Sequence, residues 1–182
     1  MRVGFEVRET VAMFRRILDG FAEWVRPEPA PPQVAPPEPS VEFSHPKNAE
    51  LFTLLKRWWL ESSTRSEGEY LRVHPDLIER FRNLAATSNV RQGAVYLRAV
   101  TANQSGLIFA WATGMNGIFL RLPRQLQQAA IQEGGRFDPT YGQEWIEFNA
   151  WGRSENSSEW ERVLKRWIQI AYQDSLNLKT DS

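Results

Sequence analysis

The chain has 182 residues, and its 22 basic and 22 acidic side chains cancel, which argues against broad electrostatic binding to nucleic acid or an anionic bilayer. It has no cysteine, which excludes disulfides, cysteine-based zinc sites and thiol catalysis. A hydrophobic content of 42% with eight tryptophans supports an aromatic-rich core, while no run reaches the roughly 18 apolar residues of a membrane span. Charges interrupt the N-terminus where a signal peptide carries its apolar stretch, so a bacterial-type cytoplasmic protein is expected.

Residues 1–26 read as an amphipathic helix. Val7, Val11, Phe14, Leu18, Phe21 and Val25 recur at alternating spacings of four and three, which makes an a/d seam. Arg8, Glu9, Arg15, Arg16, Asp19 and Glu23 cover the other side. Residues 27–41 hold seven of the eleven prolines. Such a stretch forms neither helix nor central strand, and as extended polyproline it spans roughly 40 Å. A helix that folds back on its own domain needs no spacer of that length, whereas docking at a distance does. Val11, Phe14, Leu18, Phe21 and Val25 are therefore the expected docking surface.

Residues 42–182 read as one α+β domain. Lys47–Glu61 is a predicted helix with Leu51, Leu54, Leu55 and Trp58 on one face, widened by Phe52 and Trp59. Tyr70–Val73 is a short predicted strand. Pro75 opens a second helix running to about Ala86, with Leu77, Ile78, Phe81, Leu84 and Ala85 inward. Ala94–Thr101 is a strand by its β-formers.

Leu107–Leu122 holds two apolar runs joined by Asn116-Gly117, a strong hairpin signal. A two-residue turn there puts Met115 opposite Ile118, Thr113 opposite Leu120 and Trp111 opposite Leu122. Leu107, Phe109, Trp111, Ile118, Leu120 and Leu122 then form a core face. Ile108, Ala110, Ala112, Phe119 and Arg121 form the second face. Antiparallel pairing with Ala94–Thr101 sets Arg98 across from Ala110 and Tyr96 across from Ala112.

Pro123–Glu133 is a helix closed by Gly134-Gly135. Arg136–Gln143 is a turn-rich loop. Glu144–Trp151 is a fourth strand, with Ile146, Phe148 and Ala150 on one side and Trp145, Glu147, Asn149 and Trp151 on the other. Ser158 and Glu161 form a capping box for a last helix, with Trp160, Val163, Leu164, Trp167 and Ala171 inward and fraying from Asp174. The expected fold is thus an antiparallel sheet of about four strands, a meander plus one, packed against helices and preceded by a separate amphipathic helix.

The candidate ligand or partner surface is the second sheet face. There Tyr96, Arg98, Phe119 and Arg121 would stand around a floor of Ala110 and Ala112, with Glu147 nearby. Two guanidiniums beside an aromatic can hold a carboxylate or phosphate. The plainer alternative is that the alanines admit a helix and the arginines lie at its rim. Asp138-Pro139-Thr140-Tyr141-Gly142 with Glu144 has site-like polar groups but is also ordinary turn chemistry. Glu144 and Glu147 are three apart, which on a strand places them on opposite faces. His45 and His74 each precede a proline and lack a partner at metal-ligand spacing, so they read as helix-entry or surface residues. Lys56-Arg57 and Lys165-Arg166 beside Trp58 and Trp167 read as solvated neighbours of buried tryptophans. No phosphate-cradling glycine loop and no nucleophile motif is present.

These readings assign no catalytic residue, no metal and no cofactor. They point to an interaction protein of adaptor or immunity type, whose domain binds one protein partner while its first helix tethers another. The alternatives are a small enzyme or anionic-ligand-binding domain using the Arg98/Arg121 face, and peripheral membrane attachment through the first helix.

Overall fold

The computed structural model describes residues 38–63, 73–86, 89–152 and 157–178. All of them lie in Val34–Ser182, the second of two units into which the chain divides. The seam of Val11, Phe14, Leu18, Phe21 and Val25, the proline-rich stretch up to residue 37 and the strand expected at residues 70–72 lie outside the described residues.

Two 3-10 turns, Val41–Phe43 and Pro46–Asn48, lead into helix α1, Ala49–Ser63. Leu51, Leu55 and Trp59, four apart, are the buried stripe of α1, flanked by half-buried Phe52 and Trp58. Helix α2, Pro75–Leu84, starts where Pro75 occupies the first turn and His74 Nδ1 accepts the Asp76 N–H at 3.3 Å. Leu77, Phe81 and Leu84 face inward as the spacing predicts.

The sheet has six antiparallel strands in the order β1-β2-β3-β4-β6-β5, two more than the sequence suggests. They are β1 Arg91–Val95, β2 Arg98–Ala102, β3 Ile108–Thr113, β4 Gly117–Arg121, β5 Arg136–Phe137 and β6 Trp145–Asn149. Helix α3, Arg124–Gln132, links β4 to β5, and helix α4, Ser157–Asn177, follows β6.

The strand expected at Ala94–Thr101 is in fact a hairpin. Val95 pairs with Arg98, and Tyr96 and Leu97 form a two-residue turn at φ 46° and 63°. Both φ values are left-handed, the conformation of a type I′ turn. Neither residue carries the glycine, asparagine or aspartate that normally marks such a turn, so the pattern of β-formers runs through it unbroken.

The central hairpin keeps its position but not its register. Thr113 pairs with Gly117 and Trp111 with Phe119, around a loop of Gly114, Met115 and Asn116. The expected register is off by three residues, an odd number, which transfers Trp111 to the face of Phe119 and Arg121. Tertiary hydrogen bonds account for the longer loop. The Gly114 carbonyl accepts from His74 N at 2.9 Å, Met115 O from Trp151 Nε1 at 3.0 Å, and Asn116 O from Ala150 N at 2.7 Å. Gly114, at φ +65°, supplies the left-handed residue that the loop requires.

One further offset bends β3. Thr101 pairs with Ala110 but Ala102 with Ile108, leaving Phe109 as an extra residue. Ile108 therefore packs on the α1 side, while Phe109 and Ala110 both pack on the other.

Both faces of the sheet are covered. Leu51, Leu55 and Trp59 of α1 cover Val100, Ile108, Trp111, Phe119 and Trp145. Leu164, Trp167, Ile168, Ala171 and Tyr172 of α4, with α2, cover Ala99, Ala110, Ala112, Ile118, Leu120, Ile146 and Phe148. The small residues at 99, 110 and 112 allow that approach, and Ile146, Phe148 and Ala150 lie together on this side of β6 while Trp145 packs on the other. Helix α4 does not fray at Asp174. It continues to Asn177 because buried Asn103 donates to the Ser175 carbonyl at 2.9 Å.

Candidate functional site

Arg98, Phe119, Arg121 and Glu147 do share one sheet face, and Tyr96 lies in the β1–β2 turn beside it. The floor of that face is Trp111, not the expected Ala110 and Ala112, which pack under α4. Trp111 stacks on Phe119 with ring centroids 4.1 Å apart and planes 11° apart. Tyr96, Arg98, Phe119 and Arg121 are all buried. The expected open surface is therefore an interior layer.

The two arginines stand at opposite ends of that layer. Arg98 lies in register with Thr113 and Gly117, and Arg121 is four residues further along β4. Two strand spacings and four residues of rise separate their backbones by roughly 16 Å. They cannot clamp one anion, and the Trp111–Phe119 stack lies between them.

Arg121 is a fully engaged strut. Its Nε donates to Ile108 O at 3.1 Å, Nη2 to Lys47 O at 3.1 Å and Nη1 to Glu144 Oε2 at 2.7 Å. Its guanidinium lies 4.9 Å from the Trp145 ring centroid. Burial pulls its pKa down, and Glu144, Glu50 and Asp174 oppose that shift. Glu147 serves a different cation, accepting from exposed Arg136 at 2.6 Å.

This end of the sheet opens into a cleft of about 830 Å³ between α1, the start of α3, the 139–144 loop and the end of α4. Lys47, Arg57, Arg121 and Arg124 line it, as do Glu50, Glu144 and Asp174. The lining is nearly charge-balanced. Burial, and then Glu144, hold the Asp174 carboxyl above its ordinary range. The Asp138 loop is turn chemistry: Asp138 Oδ1 accepts the Thr140 N–H at 2.9 Å and opens a 3-10 turn over Pro139–Tyr141. His45 does the same for Pro46–Asn48, accepting from Lys47 N at 3.2 Å, so both histidines act at helix entries. Lys56, Arg57, Lys165 and Arg166 are exposed, beside half-buried Trp58 and buried Trp167.

The opposite end of the sheet is a rim that the sequence did not single out. The β1–β2 turn, the β3–β4 loop and the residues after β6 meet there. Leu97 is 49%, Met115 66% and Trp151 42% exposed, three of the eight large apolar residues exposed among the described residues. Trp151 is fixed by its bond to the Met115 carbonyl and by Arg80, whose guanidinium lies 5.1 Å from the ring. Beneath this rim Arg98 is 3% exposed. Its Nη1 reaches Tyr96 O at 3.4 Å, and its Nε meets no acceptor among the described residues. Burial alone lowers its pKa to about 10. The only sequence signal for this rim was the apolar residue beside each turn, and an isolated exposed apolar residue is ordinary.

Among the described residues, no group of three or more His, Cys, Asp or Glu is placed to hold a metal ion, and no helix is long and apolar enough to cross a membrane. No protein family matches the chain, and no curated protein or solved structure does so either.

Proposed function

We propose that this chain is a protein-interaction protein of adaptor or immunity type, acting in the cytoplasm. Its α+β body binds one partner, and its first helix, on a proline-rich spacer, tethers it to another. The observation that carries the reading is the rim, where Leu97, Met115 and Trp151 gather apolar surface at one end of a sheet whose two faces are already covered. Two of the polar groups suggested as a ligand face are instead occupied: Arg121 by three acceptors and Glu147 by Arg136. In residues 1–41 the apolar seam followed by seven prolines supports the second attachment.

The test keeps the chain at full length. Phe14→Glu with Leu18→Glu breaks the seam, and Leu97→Ser with Met115→Ser breaks the rim. Cross-linking in cells followed by mass spectrometry should show that each pair removes a different partner while the melting temperature stays unchanged. Identical partner sets in all variants would defeat the reading. Recovery on vesicles that depends on Phe14 and Leu18 would assign the first helix to a membrane surface instead.

A further inference from the structure

We propose that the Arg98 end of the sheet receives an acidic polypeptide segment, which brings a carboxylate to the Arg98 guanidinium and lays an apolar side chain against Leu97 and Met115. The proposal names the partner chemistry of the interaction reading and rests on it.

Arg98 is the first observation. It is 3% exposed, makes one long hydrogen bond to Tyr96 O and leaves Nε without an acceptor among the described residues. No carboxylate forms an ion pair with it among the described residues, and burial lowers its pKa. A cation taken from water without a counter-charge is a standing cost, relieved when an acid arrives. The turn above it is the second. Tyr96 and Leu97 both hold left-handed backbone that L side chains rarely adopt, and Leu97 is displayed at the tip. Strain kept at such a tip points to use of the side chain it presents. The third is location: the β1–β2 turn and the β3–β4 loop lie at the same end of the sheet, where Trp151 also bonds to the Met115 carbonyl. An extended peptide alternating acidic and apolar residues supplies both contacts at once. An anionic bilayer offers phosphates but fits less well, because a planar surface reaches a guanidinium that is 3% exposed less readily than a single side chain does.

The experiment is an NMR titration of the 15N-labelled full chain with three probes. They are a capped peptide alternating leucine and glutamate, the same peptide with lysine for glutamate, and vesicles of phosphatidylcholine and phosphatidylserine. The glutamate peptide alone should shift the Arg98 Nε–H and the Leu97 and Met115 amides, saturably. Leu97→Ser should weaken that binding without lowering the melting temperature. Arg98→Met should abolish it and raise the melting temperature by about 2–4 °C, because the charge removed has no internal partner. No shift, an equal shift with the lysine peptide, or a shift with vesicles alone overturns the proposal. So does a lowered melting temperature in Arg98→Met, which would make Arg98 a structural residue. The Phe14/Leu18 cross-linking result does not depend on Arg98, so the tether reading and this proposal can fail separately.

Discussion

Arg121 and Arg98 lie on one face of one sheet and are almost equally buried, at 4% and 3% exposure, but their surroundings differ in kind. Arg121 has two carbonyls, a carboxylate and an indole ring; Arg98 has one carbonyl at 3.4 Å. The Arg121 end is also tied to the chain's entry strap. Asn48, fully buried, donates to Phe43 O at 2.7 Å and Gly106 O at 2.8 Å and accepts from Ile108 N at 3.0 Å. Gly106 permits that approach, since a Cβ there would lie 2.5 Å from Glu42 O. At the Arg98 end two non-glycine residues hold strained backbone and three large apolar side chains face solvent. Equal burial therefore does not mean equal role: one guanidinium holds the fold together, and the other is held by the fold.

The sharpest way to break that contrast is at Arg121. Arg121→Ala orphans the Ile108 and Lys47 carbonyls and uncovers the Trp145 ring, so urea unfolding should show a loss of about 3 kcal/mol. The exposed Glu144 contributes little to that figure, because its half of the pair is screened by water. A loss no larger than that of an exposed arginine such as Arg57 would erase the distinction. Asn48→Ala removes three buried hydrogen bonds and should cost about 2–3 kcal/mol, and Asn48→Asp, which turns a buried carboxylate oxygen toward the Phe43 and Gly106 carbonyls, should cost at least as much.

The rim predicts the opposite sign. Leu97→Gly places a permissive residue at φ 63° and should stabilise the body by about 1 kcal/mol, read as a higher urea midpoint. A decrease would mean that the exposed Leu97 side chain packs more than it strains.

The smallest effect concerns pH at the anchored end. Burial first, then the Arg121 and Lys47 charges, pull the His45 pKa below its ordinary 6.5. The folded state therefore favours neutral His45. The stability this gives is fully present above pH 6.5 and is lost as pH falls through the lowered folded value. Protonation also removes the Nδ1 acceptor that caps Pro46–Asn48. His45→Asn keeps a capping acceptor that does not titrate, so its unfolding free energy should fall less below pH 6.5 than that of the natural chain. Parallel curves for the two proteins would remove His45 from the account.

Much of the body is legible in the sequence. Of the face expected for α1, Leu51 and Leu55 are buried while Leu54 and Trp58 are half-buried and Trp59, expected only to widen it, is buried; Ile146, Phe148 and Ala150 share one side of β6 as their alternation predicts. Pro75 and Pro46 after histidines mark two helix entries. The candidate site was legible only in part. The sequence sets Arg98, Phe119, Arg121 and Glu147 on one face, but it suggests the wrong floor and an open surface. The rim of Leu97, Met115 and Trp151 was not seen, because each residue looked like an ordinary neighbour of a turn.

Residue periodicity by itself determined that helices α1, α2 and α4 and strands β3, β4 and β6 exist and which α-helical stripes turn inward, because burial repeats at 3.6 residues in a helix and two in a strand. Tertiary structure decided the register and what lies above each face. The β3–β4 loop length follows from hydrogen bonds to His74, Trp151 and Ala150, groups distant in sequence. The Tyr96–Leu97 turn has no local signature, and its left-handed backbone is held by the sheet built around it. Whether a buried arginine has partners depends on which carbonyls and carboxylates the fold brings to it, and no spacing along the chain encodes that.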